Sequence, residues 1–213
     1  MIRFITLEGG DGTGKTTQGK ILESHLTARG RSCLLTREPG GTALGELIRQ
    51  VLLEVGKKPI ASPTELFLYL ADRAQHVDEV VAPAIELGKM VLCDRHTDST
   101  LAYQGYGRGI DLGLLRGLND VASRGIKPDL TFLFDCPVEI ALSRATQRQP
   151  QSAFGQNRQD RFEREKLEFH ERVRAGFLEL ARAEPQRFRI IDASRSTADV
   201  AQQIKSIVDR ELG

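Results

Sequence analysis

Gly9, Gly14, Lys15 and Thr16 fall into the spacing G-x-x-x-x-G-K-[ST], directly after an apolar run and directly before a helical pattern. That order of strand, loop and helix is the context in which such a spacing holds an anion. Glycines allow successive backbone N–H groups to turn inward around phosphate oxygens, and the helix N-terminus adds a partial positive charge. Lys15 supplies a full charge for the outer phosphates of a nucleoside triphosphate, and Thr16 a hydroxyl for the accompanying magnesium ion. The candidate nucleotide contacts are Gly9, Gly10, Asp11, Gly12, Thr13, Gly14, Lys15, Thr16 and Thr17. A tight glycine turn that held no anion would leave Lys15 and Thr16 unexplained.

Phosphate loops of this kind serve switches, motors and kinases alike, so the rest of the chain must choose among them. Asp94 ends the apolar run at 90–93, where such proteins carry the acid that acts on magnesium or its waters. Asp135 ends a similar run and is the second candidate; Arg95 and the segment "STLAYQG" that follow Asp94 favour the first. Arg37 and Arg95, with Arg49 from the following helix, are planar cationic forks able to grip a monophosphate. Tyr69 and Arg73 stand four apart, so on a helix an aromatic plane lies one turn from a planar cation. A pyrimidine could stack on the first and present its carbonyl edge to the second. Asp11 puts a negative charge inside the phosphate loop, which makes sense if it faces something other than phosphate. "NRQD" at 157–160 faintly echoes the guanine-reading motif of GTPases, but it sits in a polar loop rather than at a strand end.

These residues need a frame. Five short apolar runs, near 3–10, 32–41, 90–95, 130–137 and 187–194, alternate with stretches of helical periodicity. The pattern predicts an α/β chain with a five-stranded parallel sheet covered by helices on both faces. Helices are expected near 16–29, 42–55, 63–87, 111–123, 137–147, 160–183 and 197–211, with Phe67 in the core. Strand ends of a parallel sheet deliver their loops to one rim, so Asp11, Arg37, Glu38, Asp94 and Arg95 should meet around the phosphate loop, with Arg37 and Glu38 among the candidate acceptor contacts. The segment 147–159, rich in Gln, Pro and Gly, reads as a loop or lid.

Composition narrows the partners. The 213 residues fit one domain, and 30 Lys and Arg against 29 Asp and Glu give no global field for nucleic acid or anionic lipid. No apolar run approaches the roughly 20 residues of a membrane span. Cys33, Cys93 and Cys136 sit in or at the ends of apolar runs and read as buried thiols of a reducing cytoplasm.

Three segments, "TREPGGT" at 36–42, "YLADR" at 69–73 and "DRHTDSTLAYQG" at 94–105, together with the phosphate loop, resemble the bacterial thymidylate kinases. The resemblance runs essentially from end to end. It implies a P-loop NTPase fold in a single domain over 1–213 with a short lid at about 144–161. It also implies transfer of the γ-phosphoryl group of ATP to dTMP with Mg2+, in a homodimer. Residue by residue, it places Asp94 close to the transferring phosphoryl group and Asp11 at the 3′-hydroxyl of the acceptor sugar. Tyr103 would fill the space a ribose 2′-hydroxyl needs, and Ser99, Thr100 and Gln104 would contact the base. Tyr69 stands where the family usually has Phe. The family draws a mobile arginine from the phosphate loop or from the lid. Gly10, Asp11, Gly12 and Thr13 offer none, which matches the lid-arginine subtype, with Arg148 as first choice and Arg158 and Arg161 behind it. Arg144, one turn before Arg148, could stack on adenine. A kinase for another nucleoside monophosphate and a nucleotide-dependent switch are the alternatives.

Overall fold

A computed structural model describes residues 2–53, 59–147, 161–162 and 165–212. Five strands, β1 (Phe4–Gly9), β2 (Cys33–Arg37), β3 (Met90–Asp94), β4 (Leu130–Asp135) and β5 (Phe188–Asp192), form one sheet in the order β2-β3-β1-β4-β5. Every pairing is parallel. β1 lies at the centre between β3 and β4, which it meets at Leu7↔Asp94 and Gly9↔Phe134. The chain therefore leaves β1 at the point where strand order reverses, the crevice in which open α/β sheets bind ligands. The sheet is the five-stranded parallel sheet expected from the alternation of strands and helices.

Side chains alternate across the sheet because successive residues of a strand point to opposite faces. Ile5, Leu7, Leu92, Phe132 and Ile191 pack with Leu22 and Leu26 of α1 (Lys15–Ala28) and Val200, Ile204 and Val208 of α9 (Thr197–Leu212). Their neighbours face the other way: Phe4, Val91 and Cys93 meet Val77 and Val81, and Leu133 meets Phe169, Val173 and Phe177 of α8 (Leu167–Ala183). The remaining helices are α2 (Ala43–Leu53), α3 (Ser62–His76), α4 (Ala82–Glu86), α5 (Thr97–Thr100), α6 (Leu112–Ala122) and α7 (Val138–Gln147).

Some expectations change. The helix expected unbroken over 63–87 is interrupted by a π-helical turn, Val77–Val81, just ahead of Pro83. A proline lacks the N–H of the regular ladder and clashes with it, and a π turn absorbs both defects. A second π segment, Leu101–Gly107, continues α5 through a stretch that the sequence left without an element. Phe67 is 62% exposed rather than in the core, because α3 turns Leu66, Leu70 and Arg73 inward and leaves position 67 on the outer face. Cys33 is half-buried, whereas Cys93 and Cys136 are buried as expected; all three are free thiols. Among the described residues no helix is long and apolar enough to cross a membrane. Residues 144–147 of the expected lid are the last turn of α7, and 148–160 lie outside the described residues.

Candidate active site

The loop leaving β1 can only be built from glycine at two of its positions. Gly9 has φ +137°, and a Cβ there would stand 2.5 Å from the Phe134 carbonyl oxygen. Gly12 has φ +77°, and a Cβ there would stand 1.9 Å from the Ala141 carbonyl oxygen. The loop is thus pressed against β4 and α7. The Thr13 hydroxyl donates to the Gly10 carbonyl at 2.9 Å. Lys15 opens α1, and its buried Nζ donates to the carbonyls of Gly10 at 2.7 Å and Gly9 at 3.1 Å. Burial pushes the Lys15 ammonium down to about 8, and the nearby Arg95 charge adds to that effect.

Thr16 and Asp94 meet across the crevice, the Thr16 hydroxyl donating to Asp94 Oδ2 at 2.6 Å. A hydroxyl and a carboxylate oxygen side by side are the hard donors that Mg2+ takes, so the pair fits that ion. Asp135, the second candidate for this role, is held instead by Arg174 through two bonds of 2.7 and 2.9 Å. Thr17 is exposed beside Thr16.

Next to the loop opens a cleft of about 540 Å³, lined by Asp11, Arg49, Tyr69, Arg73, Tyr103 and Gln104 among others. Arg95 stands at the boundary between loop and cleft. Its backbone is left-handed, φ +74°, which is costly for a side chain of this size. That conformation carries the guanidinium to four partners: the Gly9 carbonyl at 2.9 Å, Ser99 Oγ at 3.1 Å, Asp11 Oδ1 at 2.5 Å and the Tyr103 hydroxyl at 3.2 Å. Its central carbon lies over the Tyr103 ring, 5.0 Å from the centroid. The Tyr103 hydroxyl in turn donates to Asp11 Oδ2 at 2.9 Å. Burial by itself would raise the Asp11 carboxyl, but Arg95, then Lys15 and the Tyr103 hydroxyl, hold it below the usual range. Asp11, Arg95, Ser99 and Tyr103 therefore form one cluster.

The far wall is built around Arg73. Its guanidinium is 2% exposed and donates from Nε to Glu38 Oε2 at 2.8 Å, from Nη1 to Thr100 and Asn119, and from Nη2 to the His96 carbonyl. Gln104 donates to Glu65 Oε1 at 2.8 Å, and Tyr69 is half-buried with its ring 6.3 Å from Phe162. Arg49 lines the cleft and donates to the Pro39 carbonyl at 2.9 Å. Arg37 is placed differently: it is exposed, outside the cleft lining, and paired with Glu46 at 2.8 Å. Glu38 is 3% exposed and meets protein groups at both oxygens.

Two arginines around the lid are also engaged. Arg144 donates to the carbonyls of Ala193 and Ser194 at 2.5 and 2.9 Å, fastening the loop after β5. Arg161 pairs with Glu65 at 2.6 Å and donates to the Leu52 carbonyl. Arg148, Arg158 and the "NRQD" segment at 157–160 lie outside the described residues.

Sequence reasoning missed several residues of the site. Glu8, buried in β1, accepts from Ser99 and from the His96 amide, and burial followed by the Asp98 charge pushes its carboxyl up to about 7. A charged residue inside an otherwise apolar strand was the available signal. His76, one turn after Arg73, was another. Asn119 carried none, since it reaches Arg73 from a helix 46 residues away in sequence. Glu38, His76 and Cys93 bring ligand-type atoms within 4.8 Å of one another. Arg73 already balances Glu38 and the Cys93 thiol donates to the Arg95 carbonyl, so this group closes as a hydrogen-bonded hub without a cation.

The family model described as thymidylate kinase matches residues 7–204. A thymidylate kinase of Desulfovibrio desulfuricans is 54% identical over 98% of this chain and 96% of its own length. One from a Synechococcus species is 52% identical over 98% and 95%. The crystal structure of thymidylate kinase from Ehrlichia chaffeensis superposes with a TM-score of 0.75 at 34% identity, covering 96% of this chain and 97% of that one. A match of this extent, over the phosphate loop, the cleft and the sheet that positions both, makes the chain a member of the thymidylate kinase family.

Proposed function

We propose that this chain transfers the γ-phosphoryl group of ATP to dTMP, giving dTDP and ADP, as one P-loop kinase domain over 1–213 with a lid at about 144–161. The observation that carries the reading is the position of Arg95, which joins the phosphate loop at Gly9 to the cleft at Ser99 and Tyr103. A cleft opening directly on a phosphate loop suits a second phosphate-bearing substrate, and that favours transfer over a switch.

Positioning and charge stabilisation carry most of such a transfer. Lys15 and the loop amides hold the donor phosphates, and Arg95 with Arg49 holds the acceptor phosphate. Arg37 stands at the rim, where it could shield the approach. Asp11 takes the sugar 3′-hydroxyl, and Tyr103 closes the space beside it against a 2′-hydroxyl. Tyr69 stacks on the base, Arg73 reads its carbonyl edge, and Ser99, Thr100 and Gln104 line it. Mg2+, held by Thr16 and Asp94, would neutralise charge on the phosphates. Arg144, beside the loop after β5, would stack on the donor's adenine, and Arg148, outside the described residues, is the first choice for the arginine that reaches the transferring group.

ADP release measured with dTMP, dUMP, CMP, UMP, AMP and GMP in turn tests the reading. dTMP should be the best acceptor and dUMP second, since one methyl group discriminates by only about 1–3 kcal/mol. A preference for a purine monophosphate would overturn it.

Free thiols at Cys33, Cys93 and Cys136 support a cytoplasmic enzyme. A homodimer is supported by the outer faces of three adjacent helices. Leu44, Leu47 and Val51 on α2, Phe67 on α3, and Leu114 and Val121 on α6 are all more than 45% exposed. A grouping of this kind marks an interface. Sedimentation should give twice the chain mass, and Leu47→Asp should shift it toward the monomer; a monomeric parent protein would refute the dimer.

A further inference from the structure

Glu38 sits where a substrate contact was expected, yet both of its oxygens are turned to the protein. Oε2 accepts from Arg73 Nε at 2.8 Å, and Oε1 accepts from two imidazoles, His76 Nδ1 and His96 Nδ1, each at 2.9 Å. Burial alone would raise this carboxyl, but Arg73, then His96, hold it well below the usual range, so it is a buried carboxylate. Both histidines must then carry their hydrogen on Nδ1. His76 Nε2 is fixed by the Thr36 hydroxyl at 2.7 Å, and the His96 amide is fixed by Glu8 at 2.7 Å. The hub ties β1, the end of β2, α3 and the end of β3 to one guanidinium.

The orientation of Arg73 is fully determined by this arrangement. A guanidinium has five N–H donors. Four are used, on Glu38, Thr100, Asn119 and the His96 carbonyl, and one Nη2 hydrogen has no partner among the described residues. Arg73 lines the cleft. A donor in a fixed direction at a buried wall donates to a carbonyl oxygen and rejects an amino group, because the amino group would leave two donors facing each other.

We propose that Glu38 is the positioning residue of the acceptor site: braced by His76 and His96, it holds Arg73 so that its remaining N–H selects bases presenting a carbonyl oxygen over bases presenting an amino group. The proposal rests on the acceptor reading above, in which Arg73 meets the base edge. It moves Glu38 from substrate contact to the support behind one.

The test compares dUMP with dCMP, whose bases differ at that edge, as the ratio of kcat/KM on a single enzyme preparation. The folded fraction cancels in the ratio, so a merely structural defect does not move it. Glu38→Gln, which replaces an acceptor with an amide facing existing N–H groups, should compress the parent ratio about 10-fold or more while KM for ATP stays within about twofold. His76→Ala, a milder variant should the first fail to fold, should compress it less, and His76→Asn, which retains an N–H toward Glu38, should restore most of it. A ratio unchanged within twofold in Glu38→Gln and His76→Ala, with Arg73→Lys still collapsing it, overturns the role of Glu38. If Arg73→Lys also leaves the ratio unchanged, Arg73 does not read the base, and the acceptor reading fails at that residue together with the inference.

Discussion

Replacing Lys15 with methionine should lower kcat/KM for ATP by about 10³-fold and weaken ATP binding, while the protein keeps its fold. A unit charge about 4 Å from a phosphate oxygen is worth about 4 kcal/mol at the effective dielectric of a site near the surface, and that corresponds to the rate loss. The loss in stability should stay within about 1 kcal/mol. Removing Nζ leaves the Gly9 and Gly10 carbonyls without one donor, but it also removes an ammonium whose burial is itself unfavourable, as its depressed pKa of about 8 shows. The Gly9 carbonyl keeps a bond from Arg95. Calorimetry with ATP, steady-state rates and a thermal melt on the same preparation decide the matter. An unchanged ATP dissociation constant would contradict the role given to Lys15; a collapse of the melting temperature would place the residue in the fold instead.

The frame of this site was legible because a parallel sheet buried on both faces reads as continuous apolar runs. All five runs became strands, and the phosphate loop fell between the first strand and the first helix. The meeting of Asp11 with Arg95 was legible from the strand ends, and Ser99 and Tyr103 join them in one cluster although the four come from two distant segments. Direction was not legible. Nothing in "REPGG" tells whether Glu38 points into the cleft or behind it, because that depends on His76 and Arg73 from α3. The same helix misled the placement of Phe67. α3 buries Glu65, Asp72, Arg73 and His76 and exposes Phe67, an inversion that arises because its inner face is the wall of the site. Hydrophobic periodicity assumes an apolar interior and fails where the interior is a polar hub. The π segment over Leu101–Gly107 escaped for a related reason, since Gly105 and Gly107 dilute any helical pattern.

Arg95→Lys, conservative in charge, should lower kcat/KM for dTMP by about 10²- to 10³-fold while the ATP dissociation constant stays within about threefold. The parent guanidinium reaches the Gly9 carbonyl, Ser99, Asp11 and Tyr103 at once, from two nitrogens held in one plane. An ammonium has three donors at a single point and cannot span the same four partners. Asp11 would lose its short bond at 2.5 Å and Tyr103 the plane above its ring, so the groups given to the sugar would both be released. The backbone separates this effect from strain. Position 95 holds φ +74° in the parent, and lysine bears the same penalty as arginine there, so a difference between the two reports on the head group alone. Arg95→Gly relieves the backbone and removes the cation, so it should melt no lower than Arg95→Lys yet turn over more slowly. The partners act as a unit, and losses within a unit do not add. In an Asp11→Asn background the further cost of Arg95→Lys should therefore shrink to about tenfold or less. Lysine at position 95 supporting turnover within tenfold of the parent, or costs that simply add in the double variant, would show that Arg95 acts as a charge in the cleft and that the cluster with Asp11 and Tyr103 has no part in holding the acceptor.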